Sequence, residues 1–212
     1  MMTTSFVGRT DDGTRVYATV SAEELRTLLV GALVSVSRKR SDLPSIQAVQ
    51  IRRRGNRLEA IGTDRFSLTR GSIVIEDEYT GPDWEAPVDF ADVERVVKML
   101  PARYVARTEA TLTLDDDRLT VDHFGDSATV RVIESTYPNV ESITAEPKNP
   151  EAVSAIAVDP KRIAKLAKLP GLTMARLDFT SPYKPIRVEW VVAVGRYGVA
   201  FLHLIMPMRT AG

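Results

Sequence analysis

The chain has 212 residues, with 28 Lys+Arg against 28 Asp+Glu and no cysteine. That length allows a substantial buried core. Zero net charge excludes a globally basic nucleic-acid binder, so any such role must rest on local clustering. The missing cysteines exclude disulfides, thiolate metal sites and a cysteine nucleophile, and the longest apolar run, residues 28–36, is far below the ~20 residues of a membrane helix; a soluble, cytoplasmic protein is expected.

Residues 1–14 read as a flexible N-terminal tail. A first unit covers residues 15–80. Its strand "VYATVS" runs into Ser21, with Glu24 three residues on as a capping box. Leu25, Leu28, Leu29, Ala32, Leu33 and Val36 then share one helical face, and Gly31 within it marks a close-packing point. Alternating runs follow, turned at Gly55-Asn56 and interrupted at "IGTDRFSLTR".

A second unit covers residues 83–137. In "APVDFADVERVVKMLP" Asp89 caps a helix, Val93, Val96, Val97 and Leu100 form its stripe, and Pro101 ends it. Strand runs follow, turned at residues 115–117. The Pro- and charge-rich "AEPKNPE" reads as a linker. A third unit, residues 148–212, repeats the grammar. Asp159 caps, Pro160 takes the first helical position, and Ile163, Leu166, Ala167 and Leu169 form the stripe before Pro170-Gly171. Caps recurring roughly 70 residues apart mark an internal repeat of strand–helix–strands units. Residues 15–147 then form one two-unit domain, and residues 148–212 half of another. Several strands in a row follow each helix, so the fold class is α+β, with antiparallel sheets outside and short helices lining one face.

Signals for catalysis are few. The two histidines, His123 and His203, lie in strand patterns without ligand spacing. No P-loop, GxGxxG or GxSxG occurs. Asp115–Asp117 suits a solvated hairpin turn better than a cation site. Neither an enzyme nor a cofactor or metal is expected. Basic residues, by contrast, cluster. Arg38, Lys39 and Arg40 follow the first helix, Arg95 and Lys98 lie one turn apart on the second, and Lys161, Lys165 and Lys168 share a face of the third. Such faces are either ordinary solvated helix surfaces or phosphate-contacting surfaces without base readout. The apolar end "FLHLIMPMRTAG" either closes the core or lines a groove for partner peptides.

Several segments, in order along the chain, resemble the bacterial DNA polymerase III beta subunit, the sliding clamp. They are "LPSIQAVQI", "GTDRFSLTR", "STYPNVESI", "VDPKRIAKLAKL", "LDFTSPYKPIRV" and "LHLIMPMR". The resemblance implies a non-enzymatic processivity factor that encircles duplex DNA without sequence specificity. It would tether polymerase and loader peptides and work as a nucleoid-associated protein. It implies DNA-facing roles for Arg26, Arg38, Lys39, Arg40, Arg95, Lys98, Lys161, Lys165 and Lys168. It implies a peptide pocket of Thr63, Arg65, Phe66, Leu68, Pro147, Leu204, Met206, Pro207, Met208 and Arg209. Family chains carry six units in three domains. Three units here imply a shortened member, of phage type in one reading, and a homo-oligomeric ring of four chains. Two alternatives stand beside this reading: a non-ring clamp-like regulator of replication proteins, and an unrelated α+β ligand-binding domain.

Overall fold

The computed structural model describes residues 16–39, 41–77, 81–101, 108–145, 153 and 155–208. The first domain opens with β1 (Val16–Ser21), α1 (Ala22–Leu33), β2 (Ala48–Arg54), β3 (Arg57–Thr63) and β4 (Ser67–Val74). It continues with β5 (Trp84–Asp89), α2 (Phe90–Met99), β6 (Glu109–Asp115), β7 (Arg118–His123) and β8 (Asp126–Arg131). Beyond it lie α3 (Val140–Thr144), α4 (Pro160–Ile163) running into a 3-10 turn over Ala164–Lys168, β9 (Ile186–Val192) and β10 (Val199–Ile205). Among the described residues, no helix is long and apolar enough to cross a membrane.

The caps read from the sequence start the helices. Ser21 Oγ accepts from Glu24 N, Asp89 from Ala91 N and Asp159 from Lys161 N. The capping box is only half made. Glu24 does not return to Ser21; its buried Oε1 accepts from Tyr197 N (2.6 Å) and Gly198 N (2.9 Å), binding the β9–β10 loop to α1.

Units one and two exchange their first strands. All pairing is antiparallel. One sheet has the order β1-β6-β7-β8, the other β5-β2-β3-β4-β10-β9. Thus β1 of the first unit extends the second unit's strands, and β5 of the second extends the first's. The domain boundary expected near residue 147 falls outside the described residues, as does the expected tail. The third unit is welded across that boundary: β10 pairs with β4 from Ala200↔Ser72 to Ile205↔Ser67.

The six-stranded sheet buries both faces. Toward the helices, Val49, Ile51, Leu58, Ala60, Ile73 and Phe201 join the main core. On the outer face, residues 137–145 cover a second cluster of Ile61, Leu68, Val140 and Leu204. Tyr137 donates to Ile61 O (2.8 Å), and burial pushes its phenol well above the ordinary tyrosine range, keeping it a neutral donor. Arg52 bridges Glu59 (2.7 Å) and Glu141 (2.5 Å), and Glu59 also binds Arg70, so α3 is pinned to the sheet by charges. Removing one partner of such a buried network costs more than the network itself contributes.

Close backbone approach sets where α1 sits. A Cβ on Gly62 would run into the Ala32 carbonyl oxygen of α1. Gly62→Ala should therefore destabilise the fold by about 1–3 kcal/mol, read as a lower urea midpoint at unchanged slope.

The seam between β4 and β10 holds a titratable group. His203 is fully buried, with Nδ1 2.8 Å from Thr69 Oγ1, which is itself 2.7 Å from Ser35 Oγ. Burial, with the Lys165 charge adding to it, pushes the imidazole down from 6.5 to about 4. The folded state thus stays neutral where the unfolded state binds a proton. Stability should fall as pH drops from about 6.5 to about 4, and this dependence should vanish in His203→Gln. Urea midpoints across that range check it.

Candidate functional site

The stretch "IGTDRFSLTR" ends β3, turns, and begins β4. Asp64 organises the turn. Its Oδ1 accepts from Phe66 N (3.0 Å), Ser67 N (2.7 Å) and Ser67 Oγ (3.0 Å). Thr63 Oγ1 donates to Ser67 O (2.9 Å) and accepts from Arg65 N (3.2 Å). Arg65 takes a left-handed φ of 76°, so the backbone swings its side chain out of the sheet.

The third unit grips this turn from the other side. Lys165 Nζ lies 2.7 Å from Asp64 Oδ2 and 2.9 Å from Ser67 Oγ. Arg162 lies over the Phe66 ring at 4.2 Å and donates to Met206 O (2.9 Å). Met206 N donates to Phe66 O (2.8 Å). Burial alone would raise the Asp64 carboxyl, but the Lys165 amine and the two backbone N–H groups outweigh it and hold the carboxyl below its ordinary value.

Above this joint, on the outer face, lies a cleft of about 790 Å³ between the turn, the end of β10, α3 and the 180–185 loop. Leu68, Leu204 and Met206 line it from the sheet, Ile143 from α3 and Ile46 from the segment before β2. Arg65 and Lys184 bring the cations at its edge that no described ion pair engages, and no acidic residue among the described residues lines it. It has the makeup of a ligand-binding groove: apolar walls with a few charges to set orientation.

Five expected pocket residues meet here: Thr63, Arg65, Leu68, Leu204 and Met206. Phe66, Pro207 and Met208 do not line it. Phe66 is drawn beneath Arg162, while Met208 turns toward Ala157, donating its N–H to that carbonyl (2.8 Å). Pro147 and Arg209 lie outside the described residues. The α3 wall and the 180–185 loop were missed. A signal for α3 existed in Asn139, whose side chain caps Ser142 N, ahead of Val140 and Ile143. Only the tertiary fold brings the 180–185 loop across to it.

The basic residues divide. Lys39, Lys98, Lys161 and Lys168 are exposed. Arg38 pairs with Glu94 (2.6 Å) and Arg95 with Asp92 (3.0 Å). Arg26 is half-buried along α1, and Arg40 lies outside the described residues. Lys165 corrects the expectation of one lysine face. The helix tightens to 3-10 geometry after Ile163, which changes the side-chain spacing, and Lys165 points inward to Asp64. Helices α1 and α2 pack together on one side of the sheets. The third helix shares that side, since Trp190 stacks on Phe201 (4.9 Å) and donates to Pro170 O (2.9 Å).

No protein-family model and no curated protein matches the sequence. Solved structures do match. The DNA polymerase III beta subunit of Thermotoga maritima superposes with a TM-score of 0.74 at 14% identity, over 100% of this chain and 68% of that one. This is the sliding-clamp fold. The Bacillus subtilis clamp gives 0.73 at 13% identity, over 92% of this chain and 65% of that one. The Pseudomonas aeruginosa beta subunit gives 0.74 at 10%, over 99% and 69%. The chain thus spans about two thirds of the length of these clamps. The α+β fold with antiparallel sheets expected from the sequence is thus the clamp fold.

Asp64 contributes stability that is present above its unfolded pKa of about 4 and is lost as pH falls through its lowered folded value. Lys165→Met should lower stability at neutral pH and flatten the acid-side dependence below about pH 4. Acid titration followed by circular dichroism checks both.

Proposed function

We propose that this chain is a non-enzymatic sliding clamp, which assembles with further copies into a ring around duplex DNA and tethers replication proteins through the cleft. The observation that carries the reading is the cleft itself. In a chain of clamp fold, it lies where the third unit meets the first domain, with an apolar floor of Leu68, Leu204 and Met206 and cations at its rim. Methionine suits such a floor because its unbranched side chain adapts to different ligands.

The helix side supports the DNA half of the reading. Lys39, Lys98, Lys161 and Lys168 are exposed there and enter no described ion pair. Unpaired lysines attract phosphates without reading bases, which permits movement along the duplex. Arg38 and Arg95 are engaged by carboxylates and contribute less. The partners are thus duplex DNA of any sequence, polymerase and loader peptides, and other copies of this chain, as in a soluble cytoplasmic replication factor. The non-ring regulator would use the same cleft without the lysines.

Two double variants separate the functions. Met206→Ala with Ile143→Ala should weaken binding of a polymerase-derived peptide at least tenfold, by titration calorimetry, while leaving DNA association unchanged. Lys98→Glu with Lys168→Glu should weaken DNA association and flatten its salt dependence while leaving peptide affinity unchanged. Retained peptide affinity in the first variant would contradict the cleft; unchanged salt dependence in the second would favour the regulator.

A further inference from the structure

The first domain is a pseudo-dimer of its two units. Each contributes a first strand, a helix and three further strands, and the first strands are exchanged: β1 onto β6, and β5 onto β2. The helices α1 and α2 pack against each other at the centre. This exchange buries what neither unit buries alone. On α2, Val93 is 1% exposed and Val96 3%; on β6, Leu112 and Leu114 are both 0% exposed.

The third unit repeats the second, residue by residue. Asp159 caps as Asp89 does, each accepting from the backbone N–H two residues on. Asp178 pairs with Arg187 across the turn into β9, as Asp115 pairs with Arg118 across the turn into β7. Beyond the last strand of each unit the likeness persists: Ile133 N donates to Pro87 O (2.9 Å), and Met208 N to Ala157 O (2.8 Å). Residues 155–158 therefore stand where β5 stands, held along one edge by their own unit. Residues 173–178 stand where β6 stands.

The mate is what differs. Helix α4 and the 3-10 turn bury no residue; Ile163 and Leu166, in the places of Val93 and Val96, are only half-buried. Leu177, in the place of Leu114, is half-buried, and Ala175, in the place of Leu112, is exposed. Met174 is 86% exposed. Residues 155–158 form no strand, and among the described residues nothing pairs with their other edge. Residues 133–154, between the second and third units, are the only chain available there for the unit that would complete this one in sequence order. Their first half is already spent covering the outer face of the sheet.

We propose that the third unit is completed by the third unit of a second copy of this chain, related by a two-fold axis. Residues 155–158 of each copy pair with residues 173–177 of the other. The register follows from the first domain. Ala18↔Leu112 and Val20↔Ala110 translate to Ile156 opposite the second copy's Ala175, and Val158 opposite its Thr173. A two-fold interface is self-complementary, so one exposed edge and one exposed apolar stripe satisfy each other in both directions. Two edges left open would invite indiscriminate pairing; here they close on each other. This interface rests on the internal repeat, and neither the cleft nor the lysines enter it.

The cysteine-free chain offers a clean test. Full-length protein carrying Ile156→Cys and Ala175→Cys should oxidise to a covalent dimer, while each single variant should not. Mass photometry of the unmodified chain should show a dimer or an even multiple of it. Ala175→Pro, at an exposed position, should halve that mass while leaving the far-UV circular dichroism and peptide binding to the cleft unchanged. A monomer at every concentration, a disulfide closed within one chain, or an even oligomer indifferent to Ala175→Pro would each overturn the interface. A monomer at every concentration would remove the ring as well, whereas the other two outcomes overturn this interface alone and leave a ring closed by other surfaces; none of the three bears on peptide binding to the cleft.

Discussion

Phe201 of β10 lies beneath α1, in a gap left by Gly31 of the helix and Gly71 of β4; a Cβ on either glycine would collide with its ring. That wedge lets the third unit's last strand become a neighbour of β4. Everything functional follows from this pairing. It brings the end of β10 beside the 63–67 turn, and it places Trp190 where it can carry the third helix onto the α1 side. It also makes the outer face of one sheet continuous across two units, so that a cleft can form on it. The stability of the contact comes chiefly from buried apolar area. Its geometry is fixed by two absent side chains.

Polar groups then lock the seam where water could enter. Lys165 and Asp64 close its lower end, Glu24 holds the β9–β10 loop against α1, and Ser35, Thr69 and His203 form a buried chain across it. Each is a long-range contact between the third unit and the first domain. Buried polar contacts of this kind specify one arrangement more than they add net stability. A groove that must present its apolar wall and its rim charges in fixed relation needs such specification. A charged rim on a wandering turn would lose the orientation that Arg65 provides.

Much of this was legible in the sequence because the signals are local. The caps Ser21, Asp89 and Asp159, the Gly55-Asn56 and Asp115–Asp117 turns, and the alternating runs each act within a few residues. What remained hidden is non-local. Alternation identifies β1 as a strand but carries no information that its partner is β6, ninety-odd residues away (a pairing set by where the helices cross). Arg52 and Arg53 are adjacent in β2, so alternation places them on opposite faces. In the fold both are buried, because residues 137–145 cover one face and Asp77 meets Arg53 on the other. Lys165 likewise read as one of three lysines on a solvated face. Only the tightening to 3-10 geometry and the position of Asp64 turn it inward.

The same distinction applies to Asp64 and Arg65, side by side in the turn between β3 and β4. An aspartate next to an arginine is chemistry only if a base, nucleophile or metal ligand converges on it. Here every oxygen of Asp64 is already committed to the turn and to Lys165, and burial is outweighed by those donors, so the carboxylate is fixed in its charged form. A group so fully engaged has neither a free lone pair nor a pKa suited to proton transfer. Its effect is transmitted through the backbone. By bending residues 64–67 it sends Arg65 to one side and Phe66 to the other. One side chain thereby faces the cleft while the other stacks under Arg162 and ties the third unit down. One turn thus shapes the rim of the cleft and anchors the third unit, each through a neighbour of the residue that bends it.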